Sequence, residues 1–250
     1  MFQKLRKSKK LLLVAMACAT FAIAGCGSDT TKNTADNGNA VTWSETFDGT
    51  KTDFAVKSSP THAVSMSQAT TEMMLQLGLE DKMAGTAFKE EEIYPPLQAA
   101  YDKVKVLSDK WPSYEVFMSV KPDFATGWPD SFSKRAIPAD KMIAQKVNIW
   151  LPESMLSTKA DLETNFNDMI KLGEIFGVKP KAEEWVAGQR KTLEAIQTKL
   201  KDLPRKRVFI YDSEDGQPFT AFEGYTTNIL KLIGADNVMS GLSFDKTWAK

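Results

Sequence analysis

Cysteine and histidine are almost missing from this 250-residue chain. Its two cysteines, Cys18 and Cys26, both lie within the first 26 residues, and its one histidine is His62. The chain beyond residue 26 therefore has neither a disulfide framework nor thiolate chemistry. One histidine cannot build a His-rich metal site, so a transition-metal cage would need oxygen ligands throughout. The nucleophile elbow GxSxG, the zinc signature HExxH and the phosphate loop GxxxxGK[ST] are also missing. Carboxylates are plentiful, but runs such as Lys89-Glu90-Glu91-Glu92 read as solvated faces rather than an assembled acid–base pair. No apolar stretch reaches the roughly 20 residues that span a bilayer as a helix.

What is present begins with a leader. Lys4, Arg6, Lys7, Lys9 and Lys10 precede an apolar run at 11–24 that stops at small residues, the pattern of a secretory signal. Its end, Ile23-Ala24-Gly25-Cys26, resembles a bacterial lipobox. That likeness implies cleavage before Cys26, lipidation of Cys26, and a protein held on the extracytoplasmic face of the cell membrane by its acyl chains. Residues 1–25 are then the signal peptide. Residues 26–42 form a flexible tether, since GSDTTKNTADNGNA carries no large apolar residue. The leader holds five of the 32 basic residues and none of the 32 acidic ones, which leaves the mature chain at about −5. That charge argues against nucleic acid as a partner.

Order is expected from Trp43. Asp48-Gly49 lies between two strand-like runs, a hairpin signal. After Pro60 short strands at 62–66, 82–88, around 106, 123–128 and 147–151 alternate with helical segments, the mark of a parallel α/β layer. This N-terminal lobe covers 43–160. Linking helices fill 161–204. Leu162, Phe166, Met169 and Phe176 follow helical spacing, and a long helix is expected from Lys181 to about Leu203, ended by Pro204. A second α/β lobe occupies 205–250, led by the apolar run RVFIYDS at 207–213 as its strongest strand. About 45 residues is little from which to build such a layer, so this lobe is expected to be incomplete.

Aromatic and short polar residues recur where strands end. In open parallel sheets ligands sit outside the carboxyl ends of the strands, and aromatic walls with a few polar groups suit a bulky organic ligand. The cleft-rim candidates are Gln68, Thr86, Phe88, Trp111, Trp128 and Glu153 in the first lobe, with Asp212, Phe219 and Tyr225 in the second. A competing reading makes the chain an extracellular lipoprotein hydrolase with Glu115 or Asp212 as acid or base.

Three segments carry a resemblance. SPTHAVSMSQATTEMMLQLGLEDKMAGTAF holds Pro60, a short strand, Ser67-Gln68, Thr71-Glu72, Leu77-Gly78 and Gly85 in order. VLSDKWPSYEVFMSVKPDFATGW and RKRVFIYDSEDGQPFTAFEGYTTNILKLIGADNV follow. Together they resemble the Fe/B12-type substrate-binding lipoproteins of ABC importers, over about residues 56–250. The resemblance implies a class III binding-protein fold, two parallel-sheet lobes bridged by one long helix, with the end of the second lobe lacking. It implies a monomer with no cofactor that captures a chelated metal compound between the lobes, a ferric siderophore first, with cobalamin or haem as alternatives. It implies delivery to an ABC permease and its ATPase, with Glu115 as a permease-docking carboxylate. Glu115 is expected at the end of its lobe opposite the ligand rim. His62 departs from the family pattern, which often has Arg there. A truncated relative unable to bind is the remaining alternative.

Overall fold

The computed structural model describes residues 40–242 and 248–249. The expected signal peptide, the lipidation site Cys26 and the tether up to residue 39 lie outside the described residues.

Asp48 and Gly49 take φ angles of 47° and 79°. Two positive φ values in succession suit the tight hairpin turn whose twist matches its strands. They join β1 (Val41–Phe47) to β2 (Thr50–Val56) in an antiparallel pair with Phe47 opposite Thr50. The hairpin is fastened to the lobe behind it by its aromatics. Trp43 stacks on Phe54 at 5.7 Å, and its Nε1 donates to the carbonyl of Ile149 at 2.7 Å.

The N-terminal lobe is a five-stranded parallel sheet. Its strands are β3 (Ala63–Met66), β4 (Met83–Ala87), β5 (Val106–Ser108), β6 (Phe124–Gly127) and β7 (Asn148–Trp150), in spatial order β5-β4-β3-β6-β7. Connections α1 (Gln68–Gln76), α2 (Gln98–Tyr101), α3 (Tyr114–Ser119) and α4 (Ala139–Ala144) cross between them. Side chains alternate faces along each strand, so the sheet feeds two cores. Ala63 and Phe124 pack with Met74, Leu172 and Val186 on one side, while Val64 and Ala125 pack with Phe117, Met142 and Ile149 on the other. Burial on both faces explains why these strands read as short, nearly continuous apolar runs.

Two helices then leave the sheet. α5 (Leu162–Ile175) starts at a capping box of Asp161 and Thr164, and Gly177, at φ 70°, turns the chain into α6 (Lys179–Leu200). The 22 residues of α6 make a rod of about 33 Å. It begins two residues before the expected Lys181, because Pro180 fits a first helical turn, where its missing N–H is no loss. α5 and α6 approach so closely that a β-carbon on Gly173 would lie 2.7 Å from that of Ala182. Arg190 also grips Glu163 through two hydrogen bonds, at 3.2 and 2.6 Å.

α6 carries the chain to the second lobe, where Gln197 reaches the carbonyl of Leu232. Here β8 (Lys206–Val208), β9 (Ser213–Asp215), β10 (Gln217–Ala221), α7 (Tyr225–Leu232), β11 (Ala235–Asn237) and β12 (Trp248–Ala249) form two small sheets. β8 pairs in parallel with β11, and β10 pairs antiparallel with β9 and β12. The single strong strand expected at 207–213 is thus replaced by two three-residue strands. Among the described residues β8 pairs with β11 alone, and Phe209 and Tyr211 stand exposed in the break between the two strands.

Candidate ligand-binding site

The C-terminal ends of β3, β4 and β6 meet at the head of α1. Ser67 caps α1 by accepting from the N–H of Thr70, and a buried hydroxyl network of Ser65, Thr70, Thr71 and Thr86 fixes the turn. Thr86 belongs to this interior. It is 2% exposed and lies 2.6 Å from the Thr71 hydroxyl, so it is not on a rim as expected. Gln68 organises the neighbouring loop. Its Oε1 accepts from the N–H groups of Glu90 and Glu91, while its Nε2 donates to Glu72 and to the carbonyl of Glu92.

That loop presents an aromatic platform. Phe88, at φ 60°, stacks on Trp111 with ring centroids 4.6 Å apart. Trp111 is held by a hydrogen bond from its Nε1 to the carbonyl of Met66, and Trp128 is held from its Nε1 to Glu90 at 3.2 Å. With the ion-paired Asp130 and Arg135 these residues line a cavity of about 420 Å³.

Trp128 also lines a second cavity, of about 430 Å³, between the lobes. The first lobe contributes Met73, Ser154, Met155 and Ser157, the linking helix α5 contributes Asn165, and the second lobe contributes Glu223, Tyr225, Thr226 and Trp248. The 151–157 segment on this cleft is clasped by two buried carboxylates. Asp168 of α5 accepts from the N–H groups of Glu153 and Ser154 at 2.9 Å each, and Glu45 of the hairpin accepts from Leu151 at 3.0 Å. Burial outweighs these bonds and raises both carboxyls, Glu45 to about 7. Burial, helped by the charge of Asp168, also raises the Tyr225 phenol. In the second lobe, the side chain of Asn228 ties α7 to the carbonyl of Ala160 at 2.8 Å, and Glu223 accepts from the N–H of Gly241.

The candidates thus divide. Phe88, Trp111 and Trp128 share one wall, and Trp128 and Tyr225 share the interlobe cleft. Glu153 is exposed and meets the site through its backbone. Phe219 stacks on Trp248 at 5.7 Å, one layer from the cleft. Asp212 is exposed and lines none of these cavities. Reading the sequence missed Asn165, Ser154, Glu223 and Trp248. Asn165 did leave a trace, a polar residue beside Phe166 on the apolar stripe of α5.

Glu115 sits fully exposed in the first turn of α3 behind its cap Ser113. Its own backbone N–H and the Ser113 hydroxyl hold its carboxyl below the usual range. α3 begins just after Trp111, at the strands' C-terminal end, and runs back before β6 starts. The expectation that Glu115 faces away from the ligand rim is therefore corrected: both lie at one end of the lobe. Glu115 lines none of these cavities, so it is not placed as half of a hydrolytic pair within them.

Comparison with known proteins agrees with this layout. The chain is 26% identical over 240 residues to the uncharacterized ABC transporter substrate-binding lipoprotein YvrC of Bacillus subtilis, covering 92% of this chain and 73% of that one. It is 25% identical over 182 residues to a vitamin B12-binding protein of Vibrio vulnificus, covering 72% of this chain and 62% of the relative. The solved structure of a periplasmic binding protein from Veillonella parvula superposes with a TM-score of 0.84 at 94% identity, covering 85% of this chain and 72% of that one. The family model described as periplasmic binding protein matches residues 64–249, and the chain belongs to that family.

Proposed function

We propose that the chain is the extracytoplasmic substrate-binding component of an ABC importer, and that it captures a bulky chelated metal compound between its lobes. The observation that carries this reading is the interlobe cavity of about 430 Å³, walled by Trp128 and Trp248 with Tyr225. Aromatic walls with a few hydroxyl and amide groups suit a large, flat or cage-like organic ligand. Among the described residues no group of three or more His, Cys, Asp or Glu could hold a metal ion, so the reading assigns the metal to the chelator's own donors. The similarity to a B12-binding protein and to an ABC substrate-binding lipoprotein supports the class. Within it a ferric siderophore is the first candidate, ahead of cobalamin and haem.

The test is quenching of tryptophan fluorescence on titration with a ferric trihydroxamate, haem and cobalamin. Saturable quenching by one of the three is expected; failure of all three overturns the substrate class. The proposal extends to the membrane side: Cys26 carries the lipid anchor, and Glu115 guides docking on the permease. Cys26→Ser should release the protein from the membrane fraction, and a variant that stays membrane-bound would remove the anchor from the account.

A further inference from the structure

A third cavity, of about 610 Å³, opens beside α1, bounded by α1, the 94–97 segment, α5 and α6. It shares Ala69, Met73 and Asn165 with the interlobe cavity, so the two spaces adjoin at these residues. Its walls combine the rings of Tyr94 and Trp185 with the thioether of Met169. Trp185 stands at 84° to Phe166, which fixes its orientation beside the cavity. Among the described residues Glu72 is the one charged side chain in the lining. Both of its hydrogen bonds, from Gln68 Nε2 at 2.9 Å and from the Tyr94 N–H at 3.2 Å, fall on Oε1. Among the described residues its Oε2 has no donor, which leaves it to meet one on a ligand.

A carboxylate oxygen and two aromatic rings lining one cavity are the composition that recognises an organic cation. The rings attract the charge through their negative faces, and the carboxylate takes a charge-assisted hydrogen bond. We propose that this side cavity is a subsite for an organic ammonium group, and that it receives a positively charged arm of the ligand whose bulk fills the cleft. The second part rests on the metal-chelate reading above; the first does not.

The test titrates phenethylammonium and its neutral counterpart 2-phenylethanol into the full chain by NMR. Glu72→Gln keeps an acceptor for Gln68 and the Tyr94 N–H while removing the charge. Gln189 is exposed on α6, so Gln189→Trp narrows the cavity from outside the core. Trp128→Ala alters the interlobe cleft and the aromatic cavity beside it, and leaves the lining of the side cavity untouched. Phenethylammonium is expected to bind the wild type and Trp128→Ala alike, about fivefold more weakly to Glu72→Gln, and not to Gln189→Trp, with the alcohol the weaker ligand throughout. No binding to the wild type, unchanged binding to Glu72→Gln, or loss in Trp128→Ala would each overturn the subsite. A second arm compares a ferric trihydroxamate bearing a terminal ammonium with its N-acetylated form. The wild type should prefer the ammonium form and Glu72→Gln should not; equal affinity in the wild type overturns the ligand-arm assignment. If phenethylammonium binds as expected while neither trihydroxamate does, the siderophore reading fails and the ammonium subsite stands.

Discussion

Glu45 is the residue at which the cost of this architecture can be measured. It is 7% exposed, and burial raises its carboxyl from 4.5 to about 7 while its Oε1 holds the N–H of Leu151. The folded state therefore keeps a proton that the unfolded chain releases near pH 4.5. Its favourable contribution is complete below that pH and is lost as pH rises through about 7. Glutamine retains the acceptor without the charge. Glu45→Gln should thus be nearly neutral at pH 4 and more stable than the wild type at pH 8, by up to about 3 kcal/mol. Urea unfolding at the two pH values checks this, and an equal effect at both would show that the charge of Glu45 is not what burial opposes. At this scale the site was only partly legible in the sequence. Aromatics at strand ends marked Phe88, Trp111 and Trp128, because a strand's end is a local feature. Thr86 could not be placed, because which way a strand residue points depends on register, and β4 turns it inward onto Thr71. Trp248 and Asn165 come together with Tyr225 only through long-range folding.

Among the elements, the α5–α6 pair matters most, because it links the cleft floor to the second lobe. Its closeness depends on Gly173, where any β-carbon meets Ala182 and lies 3.2 Å from the Lys179 backbone. Gly173→Ala is expected to cost about 1–3 kcal/mol through overpacking, seen as a lower denaturation midpoint. No change in the midpoint would mean the two helices can slide apart freely. The hairpin and the parallel sheet were legible because Asp48-Gly49 is turn chemistry and the strand–helix alternation is local periodicity. The run at 207–213 was not, since its apolar residues describe an appetite for strand partners, and among the described residues β8 meets β11 alone. The start of α6 moved for a similarly local reason, the tolerance of a first turn for Pro180.

For the molecule as a whole, the interlobe cavity and the exposed Glu115, proposed above as ligand cleft and docking contact, lie at one end of the first lobe. Glu115 is exposed at that end, away from the cleft lining. A surface carboxylate steers and registers a partner more than it sets stability. Glu115→Ala should therefore leave ligand affinity within about twofold of the wild type while lowering whole-cell uptake, and a large loss of affinity would contradict the docking role. The overall class was legible because three motif-bearing segments spaced along the chain agree, whereas the ligand's identity was not, since it depends on side chains from two lobes meeting across a gap. The central claim is that the space around Trp128 between the lobes holds the ligand. Calorimetric titration of the wild type and Trp128→Ala, side by side, with a ferric trihydroxamate, haem and cobalamin tests it most directly. The account predicts one-to-one binding of one of the three by the wild type, weakened at least about tenfold in Trp128→Ala. Equal affinity in the two proteins, or no binding of any of the three to the wild type, would contradict it.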